Sequence, residues 1–137
     1  MDLGIAGIRV IVTAGAGGIG LEIARAFLTE GARVEVCDVD AAALDALGET
    51  APGVTGSVCD VADRAAVQRF MDDALGRLGG LDVLVNNAGI AGPTGRVDQI
   101  SPEDWDRTLA VDITGHFNVT RLAVPALKQS DNPSIIG

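Results

Sequence analysis

Glycines dominate the segment Thr13 to Gly20 (TAGAGGIG), which lies between a short apolar stretch and an amphipathic one. Gly15, Gly17 and Gly20 match the pattern G-x-G-x-x-G, and Gly18 and Ile19 complete the turn. A strand followed by such a turn and a helix is the context in which backbone N–H groups bind a dinucleotide pyrophosphate. The alternative is a glycine turn that only lets the helix pack tightly on a sheet. No Gly-Lys-Ser/Thr is present, which disfavours a P-loop nucleotidase.

An acidic residue occurs where a dinucleotide-binding unit needs one. Asp38 ends the next apolar segment, eighteen residues after Gly20. At that spacing a carboxylate accepts hydrogen bonds from the ribose hydroxyls of the adenosine half. No Arg or Lys flanks Asp38 or lies in the glycine turn, so the sequence favours NAD over NADP. The alternative is a solvated aspartate at a strand end.

The strands that must position these residues are short apolar segments bounded by glycine, aspartate or proline. We predict five of them, at Ile8–Thr13, Arg33–Asp38, Val54–Cys59, Leu81–Val85 and Ser134–Ile136.

The helices between them follow from period-3.6 patterns and capping residues. Ile19, Ile23 and Phe27 predict one apolar face for a helix from Gly18 to Gly31. Asp40 begins a short helix that Gly48 closes, and Asp63 begins one that ends at Gly79-Gly80. Ser101 begins a long helix that runs to about Lys128, after a glycine-rich loop at 89–99.

Strict alternation of apolar strands and helices predicts a parallel sheet covered on both faces. We therefore expect an α/β fold with a doubly wound, Rossmann-like, three-layer α/β/α sheet, in one domain over residues 1–137.

At this point the sequence resembles the short-chain dehydrogenase/reductase family, over essentially its whole length. TAGAGGIG is similar to the family's T-G-x-x-x-G-I-G, with Ala14 in place of the first glycine. Asp60-Val61 resembles the family's adenine-binding pair. Asn86-Asn87-Ala88-Gly89 matches its N-N-A-G, which is the most specific of these motifs.

The resemblance implies an NAD-dependent oxidoreductase that transfers hydride between nicotinamide and a secondary alcohol or ketone. It implies that Asp60 and Val61 bind adenine and that Asn87, Ala88 and Gly89 line the ribose side. Asp112 stands where the family has a catalytic asparagine, and we take it as the candidate catalytic residue. His116, the only histidine, lies one helical turn later and could pair with Asp112, although a helix-face histidine without chemistry is favoured.

The family's catalytic serine, tyrosine and lysine follow the fifth strand, and the chain contains no tyrosine. Three explanations compete: part of a longer enzyme, a natural pseudoenzyme, or a chain completed by a second one. The first is favoured. The main alternative function is a non-catalytic dinucleotide-binding or sensor domain, and N-N-A-G argues against a third class, the methyltransferases.

Composition excludes further classes. Net charge is −9 and the basic residues are dispersed, which disfavours nucleic-acid binding. No apolar run is long enough for a membrane span, and one histidine with scattered acids makes no metal site. Two cysteines, expected to be buried and reduced, and the lack of an export signal indicate the cytoplasm. We expect a homo-oligomer, a dimer or tetramer, because the resemblance makes the helix from Ser101 a subunit-contact helix.

Overall fold

A computed structural model describes residues 1–137 and shows one parallel five-stranded sheet. The strands run in the order β3-β2-β1-β4-β5, and every neighbouring pair is parallel. This arrangement confirms the predicted doubly wound fold. The strands are β1 (Arg9–Thr13), β2 (Arg33–Asp38), β3 (Thr55–Val58), β4 (Val83–Val85) and β5 (Ser134–Ile136).

Helices cover both faces of the sheet, because alternate strand residues point to opposite sides. They are α1 (Gly18–Thr29), α2 (Ala41–Asp45), α3 (Leu47–Thr50), α4 (Arg64–Leu78), α5 (Pro102–Leu109) and α6 (Gly115–Leu127). Val10, Val12 and Val36 pack towards α1 and α3, whereas Ile11 and Leu84 pack towards α4 and α6. None of these helices combines the length and the apolar character that crossing a bilayer requires.

Two details of the sequence prediction are wrong. Gly48 does not close the second predicted helix but lies inside α3, because the chain breaks at Ala46 into two short helices. Ile19 is not part of the buried face of α1: 76% of its surface is exposed. It lies in the first turn, beyond the edge of the sheet that Ile23 and Phe27 pack against.

The long predicted helix is present but is not uniform. The Ser101 hydroxyl accepts a hydrogen bond from the Asp104 amide, and Pro102 begins α5, as the capping pattern predicts. Residues Ala110–Thr114 form a π-helical turn that joins α5 to α6. Such turns widen the helix and occur preferentially at functional positions.

One side of this long helix is apolar and exposed. The side chains recur every four residues and are those of Trp105, Leu109, Ile113 and Phe117. Their spacing gives a continuous stripe along the helix, with nothing packed on it in this chain.

A partly buried ion pair between Arg9 and Asp82 ties the amino ends of β1 and β4 together. Asp82 accepts hydrogen bonds from the Arg9 backbone amide at 2.8 Å and from its Nε at 3.0 Å. The Ser130 hydroxyl donates to the same carboxylate at 2.6 Å. These bonds, the Arg9 guanidinium first among them, hold the pKa of the Asp82 carboxyl well below its usual range.

We predict that this carboxylate makes folding stability depend on acid pH. Because its pKa is lower in the folded than in the unfolded chain, its contribution is present above about pH 4 and is lost as the pH falls through the folded pKa. Asp82→Asn should reduce the free energy of unfolding at pH 7 by about 1–2 kcal/mol. Urea unfolding at pH 7 and pH 3 measures this; an equal loss of stability on acidification in wild type and variant would contradict it.

Candidate functional site

The carboxyl ends of the parallel strands meet at one edge of the sheet, and the loops that follow them form the candidate site. In an open sheet, ligands bind at this edge beside the point where strand order reverses, here between β1 and β4. The glycine loop follows β1, Asp38 ends β2, Asp60-Val61 follows β3, and Asn86 to Gly89 follow β4.

The glycines of the loop have separable roles. A Cβ on Gly20 would collide with the Ala14 carbonyl oxygen and would lie 2.5 Å from Nδ2 of Asn87. A Cβ on Gly15 would lie 2.5 Å from Val36. Around Gly17 and Gly18 the space is open, and Gly18 has φ +54°. The loop is therefore packed tightly beneath and bare on its outer side.

The amino terminus of α1 faces that bare side. No side chain caps this helix, so its first N–H groups remain free to bind an anion. Ile19 lies beside them and is exposed. Free amides and a glycine surface without side chains are what a diphosphate requires.

Ala14 has φ +51°, the one residue other than glycine in the left-handed region. The family motif has glycine at this position, and the methyl group of alanine makes the conformation unfavourable. The strain is local to the turn between β1 and the glycines.

Thr13 and Asn87 join the glycine loop to the turn after β4. The Thr13 hydroxyl accepts hydrogen bonds from the amides of Asn87 at 3.0 Å and Ala88 at 2.9 Å. Nδ2 of Asn87 donates to the carbonyl oxygens of Thr13 and Ala14, each at 3.2 Å. Two strands of the switch point are thereby fixed relative to each other.

A cavity of about 100 Å³ lies beside this junction. It brings together five of the residues that the sequence predicted for the site: Asp38, Asp60, Val61, Ala88 and Gly89. Its remaining wall is formed by residues that the sequence did not single out for this site: Val39, Cys59, Ile90, Arg107 and Val111, together with Ala14. Of the other predicted residues, Gly15 to Gly20 lie along the outer loop, Asn87 lies beneath it, and Asp112 lies behind the 88–90 turn.

The two acidic residues of the cavity are held by the backbone. The Asp38 carboxylate accepts from the Ala16 amide at 3.1 Å and from the Asp40 amide at 3.1 Å. The Asp60 carboxylate accepts from the Ala62 amide at 2.9 Å. Each side chain is therefore oriented before a ligand arrives.

Arg107 is the residue that sequence reasoning missed. It lies far from Asp38 in the chain, but α5 brings it to the wall of the same cavity. It forms no salt bridge. No local signal in the sequence marks Arg107, because its place depends on how α5 packs against the edge of the sheet.

Two thiols lie next to each other here, and that of Cys59 forms part of the cavity wall. Cys37 and Cys59 are buried and form no disulfide, as expected. The contact of Cys37 with the Cys59 sulfur, together with burial, raises the pKa of the Cys37 thiol. The Cys37 thiol therefore stays protonated and packs as an apolar group.

Asp112 and His116 both contact the turn after β4, and they do not pair with each other. Oδ1 of Asp112 accepts from the Ile90 amide at 2.8 Å, and Nε2 of His116 lies 2.8 Å from the Ala88 carbonyl oxygen. No ion pair joins the two side chains. The structure therefore contradicts the Asp–His pairing considered from the sequence.

A larger hollow of about 470 Å³ lies at the opposite, amino-terminal edge of the sheet. Its charged groups are Arg9, Asp82 and Asp131. Arg9 and Asp82 already neutralise each other, and no helix amino terminus faces the hollow among its lining residues. Its size alone does not make it the site.

Comparison with known proteins agrees with this geometry. The family model described as short chain dehydrogenase matches residues 9–137. A short chain dehydrogenase/reductase of Colletotrichum higginsianum is 36% identical over 135 residues, which is 96% of this chain and 50% of that protein. An L-fucose dehydrogenase of Bos taurus is 38% identical over 125 residues, 91% of this chain and 46% of that protein.

A solved structure also aligns. A 3-ketoacyl-(acyl-carrier-protein) reductase from Brucella melitensis, complexed with NADH, superposes with a TM-score of 0.86 and 30% identity. The alignment covers 91% of this chain and 52% of that one. The chain thus spans about half the length of these relatives.

We predict that Ala14→Gly stabilises the protein. Glycine adopts the left-handed region without the Cβ clash, which favours the folded state by about 1–2 kcal/mol. The greater freedom of glycine in the unfolded chain offsets this gain by about 0.5–1 kcal/mol. The midpoint of urea unfolding should therefore rise. Ala16→Gly, at a position without positive φ, is the matched control and should lower it. A lower midpoint for Ala14→Gly would show that the strain is absent.

We predict that Asp112 acts on stability through its acceptor oxygen. Asp112→Asn keeps an oxygen for the Ile90 amide and should unfold within about 0.5 kcal/mol of wild type, whereas Asp112→Ala should lose about 1–2 kcal/mol. Thermal or urea unfolding of both variants measures the difference. Equal destabilisation by the two substitutions would exclude this role.

Proposed function

Because the chain belongs to the short-chain dehydrogenase family, we propose that residues 1–137 form one domain that binds NAD for an oxidoreductase. The reaction proposed is hydride transfer between nicotinamide and a secondary alcohol or ketone. The observation that carries the proposal is the carboxyl edge of the sheet, where the uncapped α1 and a cavity with two oriented carboxylates lie side by side.

The residues present fit the adenosine and diphosphate parts of such a cofactor. We assign the diphosphate to the glycine loop Gly15 to Gly20, at the uncapped amides of the first turn of α1, where Gly17 and Gly18 leave room that a side chain would fill. We assign adenine to the wall of Asp60 and Val61, and its ribose to Asp38 and the backbone of Asn87 to Gly89. NADH in the aligned reductase supports a nicotinamide dinucleotide.

In the mechanism, this part of the chain binds and orients. Nicotinamide supplies or accepts the hydride when the cofactor is bound. The amides at the start of α1 would stabilise the diphosphate charge and so orient the cofactor along the sheet edge. Asp112 lies in the π-helical turn behind the 88–90 backbone, and we propose that it is a catalytic residue of the reaction. Residues 1–137 include no tyrosine, so they do not include the proton donor that the family resemblance implies.

The second candidate is a dinucleotide-binding domain without catalysis, which the same geometry at the sheet edge supports. Both functions share the same cofactor site. They differ in turnover. When a secondary alcohol and NAD are added, a catalytic protein produces NADH, which is detected by its absorbance. A non-catalytic domain produces no NADH.

We also propose that the protein is a homo-oligomer and is located in the cytoplasm. The exposed stripe of Trp105, Leu109, Ile113 and Phe117 supports a homo-oligomer, a dimer or tetramer, because an apolar face of this kind is ordinarily covered. The two reduced, buried cysteines support a cytoplasmic location.

The choice between NAD and NADP depends on two side chains of the cavity. Asp38 would repel a 2′-phosphate, whereas Arg107, which lines the same cavity, offers a cation without an ionic partner. Asp38 is already hydrogen-bonded to the Ala16 amide, so its negative charge is held beside the glycine loop. We therefore propose that Asp38 dominates and that NAD is preferred.

Calorimetric titration with NADH and NADPH tests this proposal. Asp38→Ala should weaken NADH binding by about tenfold or more, since a hydrogen bond to a charged group contributes about 1.5–3 kcal/mol. The same variant should reduce the ratio of NADH affinity to NADPH affinity. Asp45→Ala, which removes an equal charge on the exposed side of α2, is the matched control.

Two results would contradict the proposal. Unchanged NADH affinity in Asp38→Ala would remove the ribose assignment. Tighter binding of NADPH than of NADH by the wild type, lost in Arg107→Ala, would assign the cofactor choice to Arg107 instead.

A further inference from the structure

The backbone that lines the cofactor cavity runs antiparallel along the long helix. Ala88 meets His116, Ile90 meets Asp112, and Gly92 packs against Thr108. A Cβ on Gly92 would lie 2.7 Å from the Thr108 hydroxyl oxygen, so the approach is close. The three helix residues are four positions apart, and each contacts a loop residue two positions from the next. The loop is thus attached to one face of the helix at three successive points.

Of the three contacts, the one made by His116 lies nearest to the end of β4. It is half-buried at the start of α6, and its Nε2 lies 2.8 Å from the Ala88 carbonyl oxygen. A carbonyl oxygen only accepts hydrogen bonds, so Nε2 must carry the hydrogen. The Ala88 amide is bonded on its other side to the Thr13 hydroxyl. Ala88 is therefore held from β1 through its N–H and from α6 through its carbonyl group.

We propose that His116 is a positioning residue that holds the 88–90 backbone against the cofactor. Its Nε2–H fixes the Ala88 carbonyl group, and this keeps Gly89 and Ile90 at the cavity wall. The effect on the loop is a property of this chain alone, whereas the effect on cofactor affinity rests on the proposed function. His116 touches neither the cavity nor the glycine loop, so it acts through Ala88.

Nitrogen NMR of the wild type tests the bond directly, because the chain has one histidine and its ring signals need no assignment. The neutral ring should be the Nε2–H tautomer. The Nδ1–H tautomer would overturn the proposal, whatever the behaviour of any variant.

Amide hydrogen exchange tests the consequence for the loop. His116→Leu keeps bulk but removes the donor, and should speed exchange at the Ala88 and Ile90 amides by about fivefold. His116→Gln retains an N–H and should restore protection. Arg121→Ala, an exposed position on the same helix, is the control and should leave these amides unchanged. Unchanged exchange in His116→Leu, or equal acceleration in Arg121→Ala, would overturn the proposal. If His116→Leu does not fold, the tautomer and the protection measured in His116→Gln decide.

Titration with NADH separates this inference from the proposed function. The expected result is a fall in affinity of about fivefold in His116→Leu with recovery in His116→Gln. A wild type that binds neither NADH nor NADPH would overturn the proposed function, and the tautomer and exchange results would still decide the role of His116. Normal NADH affinity in His116→Leu, with faster loop exchange, would overturn the link from loop to cofactor.

Discussion

The close contact of Gly20 with the Ala14 carbonyl group and the Asn87 amide is the constraint on which the site depends. Because Gly20 has no Cβ, the first turn of α1 can lie directly against the ends of β1 and β4, where a side chain would clash. Asn87 adds hydrogen bonds to both carbonyl oxygens of that junction, and Thr13 bonds back to the amides after β4. The positive end of the helix is thereby directed along the sheet edge, next to the carboxylates of Asp38 and Asp60.

The long helix from α5 to α6 has two different sides. Its inner side carries Thr108, Asp112 and His116, which attach to the loop after β4. Its outer side carries the apolar stripe from Trp105 to Phe117. The π-helical turn lies between the two α-helical parts, where Asp112 contacts the loop. If another chain contacts the outer stripe, the helix would connect that contact to the loop after β4 on its inner side.

The sequence predicted much of this arrangement because its signals are local. Glycine at the turn, Asp63 and Ser101 as caps, and apolar strands between them determine the elements one by one. It did not predict Arg107 in the cavity or His116 on Ala88, since these depend on how helix and loop pack across long separations in the chain. The failure at Ile19 has a related cause: periodicity assigns a side to each residue but does not say where the sheet beneath it ends. The positive φ of Ala14 likewise depends on the folded path of the turn, although the missing glycine of the motif marked the position.

We propose that a dinucleotide binds at the carboxyl edge of the sheet and not in the larger hollow at the other edge. Amide chemical shifts recorded during a titration with NADH test it most directly. We expect the largest changes at Ala16 to Gly20, at Asp38 and at Gly89. Changes confined to Arg9, Asp82 and Ser130, around the opposite hollow, would contradict it.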